Sequence, residues 1–190
     1  MKKIAIFASG SGSNFEAIVR AYNDGELSAK PEVCVCDKPG AGVIERARRL
    51  GIPLIISSPR DFGSKEEFEG YISDRLDELG IDLICLAGYM RIIGPVLLER
   101  YRGRIINIHP SLLPAFKGAH AIRDAFDYGV KIFGVTIHYV NEQLDGGRII
   151  DQECLRYDGD DIDELETKIH AVEHRLFPRT INKTLNESII

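Results

Sequence analysis

The sequence predicts an α/β protein: a mostly parallel sheet flanked by helices, with an antiparallel C-terminal extension. Three observations lead there. Short apolar runs alternate with amphipathic stretches over residues 1–103, the pattern of βαβ crossovers on a sheet covered on both faces. A glycine-rich turn, Gly10-Ser11-Gly12-Ser13-Asn14, follows the first apolar run. Beyond Pro110, two β-rich runs are joined by a connection short enough for antiparallel neighbours. The first part therefore reads as Rossmann-like.

Lys3–Ala8 is the first expected strand, followed by Val33–Cys36, Leu54–Ile56, Leu83–Ala87 and Ile105–Ile108, each a short apolar run. Helices are expected between them over Asn14–Tyr22, Val43–Leu50, Glu66–Leu79 and Val96–Tyr101. The third is the best marked. Ser64 stands three residues before Glu67 as a cap, and Phe68, Tyr71, Ile72 and Leu76 follow at helical spacing. Leu112–Pro114 is too short and Pro-bounded for a strand, whereas Ala121–Tyr128 reads as a short helix. Ile132–Val140 and Arg148–Leu155 form the antiparallel extension, and a closing helix runs from Asp163 to about Leu185, interrupted at Pro178.

With 190 residues, 44% hydrophobic and 28% charged, the chain suits one domain over 1–190, at about 100–200 residues per domain. A net charge of −5 offers no general attraction to polyphosphate backbones or anionic lipid, so neither nucleic acid nor membrane is expected as a partner. The apolar start, Ile4 to Ala8, is shorter than the ~7–15 residues of a signal core, and no run approaches the ~18 of a membrane span. A cytoplasmic protein is expected. Cys34, Cys36, Cys85 and Cys154 form no C-x-x-C pair, and each lies in an expected buried strand, where cysteine behaves as a small hydrophobe.

The glycine turn sits where a strand delivers the chain to a helix N-terminus, whose free N–H groups and partial positive charge suit an anion. The dinucleotide pattern needs glycine where Phe15 stands, and the Walker lysine is absent. A mononucleotide or sugar-phosphate site remains, against a turn that only reverses the chain. On the fifth strand Asn107 and His109, two residues apart, project to one side and reach the same rim. Asp145 lies in the turn of the antiparallel extension. Such a trio suits acyl transfer: an amide N–H and an imidazolium meet negative charge developing on a carbonyl oxygen, and a neighbouring carboxylate favours the charged imidazole. The alternative is a capped strand end beside an Asp-Gly turn formed for local reasons.

Gly12-Ser13-Asn14, Leu86-Ala87-Gly88-Tyr89-Met90-Arg91-Ile92, Asn107-Ile108-His109-Pro110-Ser111-Leu112-Leu113-Pro114 and Leu144-Asp145-Gly146-Gly147, in that order, resemble the glycinamide ribonucleotide formyltransferases, folate-dependent enzymes of purine synthesis. The resemblance implies the formyltransferase fold, with a phosphate-binding half over about 1–103 and a catalytic and folate-binding half over about 104–190. It also implies two small-molecule substrates, 10-formyltetrahydrofolate as formyl-donating cosubstrate and glycinamide ribonucleotide as amine, with no metal. Asn107, His109 and Asp145 would be catalytic. Gly12, Ser13, Asn14, His170 and Glu173 would hold the ribonucleotide. Met90, Arg91, Ile92, Ile93, Asn107, Asn141, Glu142, Gln143, Leu144 and Asp145 would surround the folate, as would Lys65, which stands where relatives often carry arginine. The modest length is expected to hold this core and little else, unlike transfer-RNA formyltransferases with a further nucleic-acid-binding domain. A homodimer is left open, with no self-complementary feature to argue for it.

His170 to His174 also spell H-x-x-E-H, an inverted zinc-peptidase pattern with both histidines on one helix face. The stretch after His174 offers only Glu187 as a further acidic ligand, so the ribonucleotide reading is preferred. His138 is expected to be a satisfied histidine on a half-buried strand near the site. His120 is either an entrance or a loop residue. Arg91 likewise could position the folate through its backbone while its side chain points into solvent.

Overall fold

The computed structural model describes residues 1–186, which build a seven-stranded sheet between two helical layers. The strands are β1 (Lys3–Phe7), β2 (Lys30–Cys36), β3 (Leu54–Ile56), β4 (Leu83–Leu86), β5 (Ile105–His109), β6 (Ile132–Tyr139) and β7 (Ile149–Arg156). The helices are α1 (Ser13–Asn23), α2 (Gly42–Arg49), α3 (Lys65–Leu79), α4 (Pro95–Arg100), α5 (Ala121–Tyr128) and α6 (Ile162–Asn186). In space the order is β3-β2-β1-β4-β5-β6-β7, parallel from β3 through β5 and antiparallel at the β5–β6 and β6–β7 pairs. This is the expected mostly parallel sheet with its antiparallel extension.

Strand periodicity divides the core. Ile4, Ile6, Cys34 and Cys36 pack on one side with Phe15, Val43 and Phe177 of α1, α2 and α6. Ala5, Phe7, Val33 and Val35 pack on the other with Phe68, Ile72 and Leu97 of α3 and α4. Because both faces are covered at the sheet centre, β1 and β4 carry short, nearly unbroken apolar runs, each fully buried large side chain contributing roughly 1.5–3 kcal/mol of transfer free energy. The order turns outward in both directions from β1 and β4, opening a crevice at their carboxyl ends where α/β folds bind ligands.

At the start of α3 the Ser64 hydroxyl accepts from the Glu67 N–H, as the spacing predicts. The Glu67 carboxylate accepts from Gly63 rather than from Ser64 itself, one residue beyond the expected box. Two expectations need correction. Pro178 does not interrupt the last helix: Leu176, Phe177, Thr180 and Ile181 are buried on both sides of it, and this packing offsets the one backbone hydrogen bond the ring removes. Cys154 is exposed, because β7 is an edge strand with alternating burial, whereas Cys34, Cys36 and Cys85 are buried. Burial pushes the Cys34 thiol up to about 12, so it stays protonated and inert. Among the described residues no helix is long and apolar enough to cross a membrane. Glu187 lies outside the described residues.

Candidate active site

A cleft of about 500 Å³ lies at the carboxyl ends of β1, β4 and β5. Its first wall is the glycine turn. Gly12 adopts φ +80°, and a Cβ there would fall 2.6 Å from Val43 Cγ2 of α2, so this glycine is required by both conformation and space. Gly10 has open space around it. The first helical bond of α1 runs from the Glu16 N–H to the Gly12 carbonyl at 2.9 Å, so the N–H groups at the helix start have no intrahelical acceptor.

One of the two N–H groups of the Asn14 carboxamide is committed within the protein. Its Nδ2 donates to Glu173 Oε2 of α6 at 2.9 Å, and the same oxygen accepts from His170 Nδ1 at 2.8 Å. The hydrogen bond to Glu173 raises His170 above the usual histidine range against the opposing effect of burial. Behind the turn, Arg46 Nε donates to the Ser11 carbonyl at 2.8 Å and pairs with Glu16. Burial works against charge on Glu16, yet the hydrogen bonds from Arg46, Arg49 and Arg20 outweigh it and bring the carboxyl down to about 2.

The second group is built on β5 and β6. Antiparallel pairing sets His138 opposite Asn107 and Thr136 opposite His109. His138 Nδ1 lies 2.9 Å from the Tyr139 carbonyl, and Nε2 lies 3.1 Å from Asn107 Nδ2. Burial lowers the His138 pKa, favouring the neutral ring. Its one proton therefore sits on Nδ1 and is donated to Tyr139, leaving Nε2 to accept from Asn107. Asp145 Oδ1 stands 3.7 Å from His138, a close approach to a neutral ring rather than an ion pair. His109 Nδ1 is 3.6 Å from Asp145 Oδ2, and Nε2 donates to the Phe116 carbonyl at 2.8 Å, so both ring nitrogens face acceptors.

Asp145 has φ +47°, a left-handed conformation that aspartate tolerates better than bulky residues, and its Oδ2 accepts from the Gly118 N–H at 2.8 Å. A Cβ on Gly147 would lie 1.7 Å from the Tyr139 carbonyl oxygen. The turn thus needs its glycine for close chain approach, while the aspartate faces the two histidines. A turn formed for local reasons alone does not account for that carboxylate.

Of the residues singled out in the sequence, Gly12, Ser13, Asn14, His170 and Glu173 line the cleft, as do Met90 to Ile93, Asn107, His109, Asn141 and Gln143 to Asp145. Lys65 and Glu142 are not in its wall. Lys65 is exposed, with Cε beside Gly94. His120 is exposed before α5 and lies outside the lining. The Arg91 side chain is about half exposed and is paired with Asp37. His138 is satisfied, as expected, but it also lines the cleft and holds Asn107. Its alternation on a strand was readable, whereas its partner across the sheet was not. Asp37 and Ser9 were missed; the only cue was their position just past strand ends beside the glycine turn. His170 and His174 do share a helix face, with rings stacked 6.3 Å apart. Among the described residues no group of three or more His, Cys, Asp or Glu is placed to hold a metal.

A formyl transferase family profile matches residues 2–181. The chain is 48% identical over 186 residues to a phosphoribosylglycinamide formyltransferase of Bacillus subtilis (strain 168), covering 97% of this chain and 95% of that protein. The crystal structure of glycinamide ribonucleotide transformylase 1 from Geobacillus kaustophilus superposes with a TM-score of 0.95 at 51% identity, covering 98% of this chain and 100% of that one. Phosphoribosylglycinamide formyltransferase from Bacillus halodurans gives 0.93 at 50% identity, covering 98% and 96%.

Proposed function

From the premise that the chain belongs to the formyl transferase family, we propose that it transfers the formyl group of 10-formyltetrahydrofolate to the primary amine of glycinamide ribonucleotide in purine biosynthesis. The observation that carries the reading is the meeting of Asn107, His109 and Asp145 in the cleft that also contains the α1 turn. The relatives of half identity are named for this substrate.

Amine attack on the formyl carbon moves an electron pair onto the formyl oxygen. Asn107 has one N–H committed to His138 and one left for that oxygen, so the donor is oriented before charge develops. His109 supplies the second donor and the proton for the departing folate nitrogen, with Asp145 Oδ2 3.6 Å from its Nδ1 orienting the ring. The proton lost by the attacking amine leaves through water organised at Asp145. His109 Nε2 is engaged by the Phe116 carbonyl, so delivery of that proton requires exchange of this bond for substrate.

The ribonucleotide phosphate meets the free N–H groups of Gly12 to Asn14 at the α1 start, where the helix dipole compensates a net charge of −5 on the whole chain. Glu173 and His170 line the sugar side. Met90, Ile92 and Leu144, large apolar side chains exposed at the cleft, match a flat heteroaromatic ring of the donor. Asn141 and Gln143 add polar groups. Lys65 and Glu142 would meet only a donor that extends past the wall. The test follows deformylation of 10-formyltetrahydrofolate with and without glycinamide ribonucleotide. Strict dependence on the amine supports transfer, whereas equal rates without it would indicate hydrolysis.

A further inference from the structure

We infer that Asp37 is a positioning residue for the formyl-donor wall of the cleft, acting through Arg91 and through Ser9. It follows β2 directly and is 5% exposed, and neither it nor Ser9 belongs to the cleft lining. One carboxylate oxygen accepts from the Ser9 hydroxyl at 2.5 Å and the other from Arg91 Nε at 2.5 Å. The Ser9 oxygen in turn accepts from the Met90 N–H at 2.9 Å, and the Ser9 N–H donates to the Gly88 carbonyl at 3.1 Å. A single buried carboxylate thus spans the carboxyl ends of three adjacent strands, β2, β1 and β4, and grips residues 90 and 91 from both the backbone and the side chain.

The gripped segment has no regular structure between β4 and α4, yet it leaves Met90 71% and Ile92 65% exposed. Unrestrained, such side chains would be driven toward apolar burial. Polar ties at the Met90 N–H and the Arg91 guanidinium hold the backbone so that the two apolar groups flank the cleft before any ligand arrives, which lowers the ordering cost of binding. Burying a carboxylate is costly unless it is paired, and both partners of Asp37 lead to this one segment. The assignment rests on the proposed placement of the folate ring against Met90 and Ile92.

The test is steady-state kinetics of the full chain with both substrates varied, for wild type, Asp37→Ala, Asp37→Asn and Ser9→Ala. Asp37→Ala should raise KM for 10-formyltetrahydrofolate about tenfold, with KM for glycinamide ribonucleotide within about twofold and kcat at saturating donor within about threefold. Ser9→Ala should raise the donor KM by roughly half that factor, and Asp37→Asn, which keeps an acceptor for Ser9 but no charge for Arg91, should fall between. Calorimetric binding of tetrahydrofolate should weaken in the same order. Unchanged donor KM in an active protein would overturn the inference, as would parallel rises in both KM values tracking a fall in Tm. If Asp37→Ala does not fold, Asp37→Asn and Ser9→Ala carry the same test. A wild type that performs no formyl transfer would defeat the functional reading instead, before any variant is compared.

Discussion

Asn107 Nδ2 lies 3.1 Å from His138 Nε2, and that contact fixes which end of the carboxamide serves as donor in the cleft. The histidine can accept there only while it is neutral, with its proton held by the Tyr139 carbonyl. Burial, the main influence on the ring, favours that state by lowering its pKa. His138→Ala should therefore lower kcat about 10–100-fold with little change in either KM, since the donor it orients acts mainly on developing charge. His138→Gln, which can present an acceptor carbonyl, should recover part of the loss. Wild-type kcat in His138→Ala would remove the residue from the chemistry.

The Asn14–Glu173–His170 chain gives a mirror-image expectation for the amine substrate. Glu173→Ala should raise KM for glycinamide ribonucleotide about tenfold and leave the donor KM within about twofold, because the residue braces the α1 turn and not residues 90–93. In wild type His170 should titrate above the usual ~6.5 by NMR. Loss of the Glu173 partner leaves burial opposed only by the weaker effect of the Glu166 charge, so the titration should move down. A raised folded-state pKa contributes stability that is present below ~6.5 and lost as pH rises through the folded value. An unmoved His170 titration in the variant would show that Glu173 is not its partner in solution.

Glu16 supplies a pH dependence of the opposite sign. Its carboxyl falls from 4.5 unfolded to about 2 in the fold, so its contribution is complete above 4.5 and disappears as pH drops toward 2. Glu16→Gln should cost on the order of 1–2 kcal/mol at pH 7 by urea unfolding, after allowing for solvent screening of its partly exposed arginine partners, and much less near pH 2. An equal cost at both pH values would mean that packing, not charge, is what the substitution removes.

The two glycines of the turn should separate cleanly. Gly12→Ala forces a left-handed alanine against Val43 and should destabilise the chain by about 1–3 kcal/mol while raising KM for the ribonucleotide. Gly10→Ala meets open space and should leave Tm within about 2 °C. A similar fall in Tm for both would show that Val43 does not set the requirement.

The parallel half of the fold was legible because its strands are short apolar runs, buried on both faces at the sheet centre, and its helices carry periodic apolar residues. Third-strand bounds Leu54–Ile56 and fifth-helix bounds Ala121–Tyr128 agree with the structure to the residue. Pro178 was misjudged because local propensity favours a break, while burial of Phe177 and Ile181 beside it is a tertiary effect. In the site, Asn107 and His109 were readable as a period-two pair on one strand, and Asp145 from its turn. The His138 contact depends on the register of β6 against β5, and the Asp37–Ser9–Arg91 ties depend on the lateral order of β2, β1 and β4. Neither is encoded in local spacing. The tie between Asn14 and Glu173 is likewise not legible, because Glu173 lies on the distant last helix.

Formyl transfer in this cleft depends first on His109, whose Nδ1 faces Asp145. Steady-state formyl transfer from 10-formyltetrahydrofolate to glycinamide ribonucleotide by His109→Ala, at saturating levels of both, is the decisive measurement. The expected result is a fall in kcat of about 10²–10⁴-fold with both KM values within about fivefold of wild type. A kcat equal to that of wild type would contradict the mechanism.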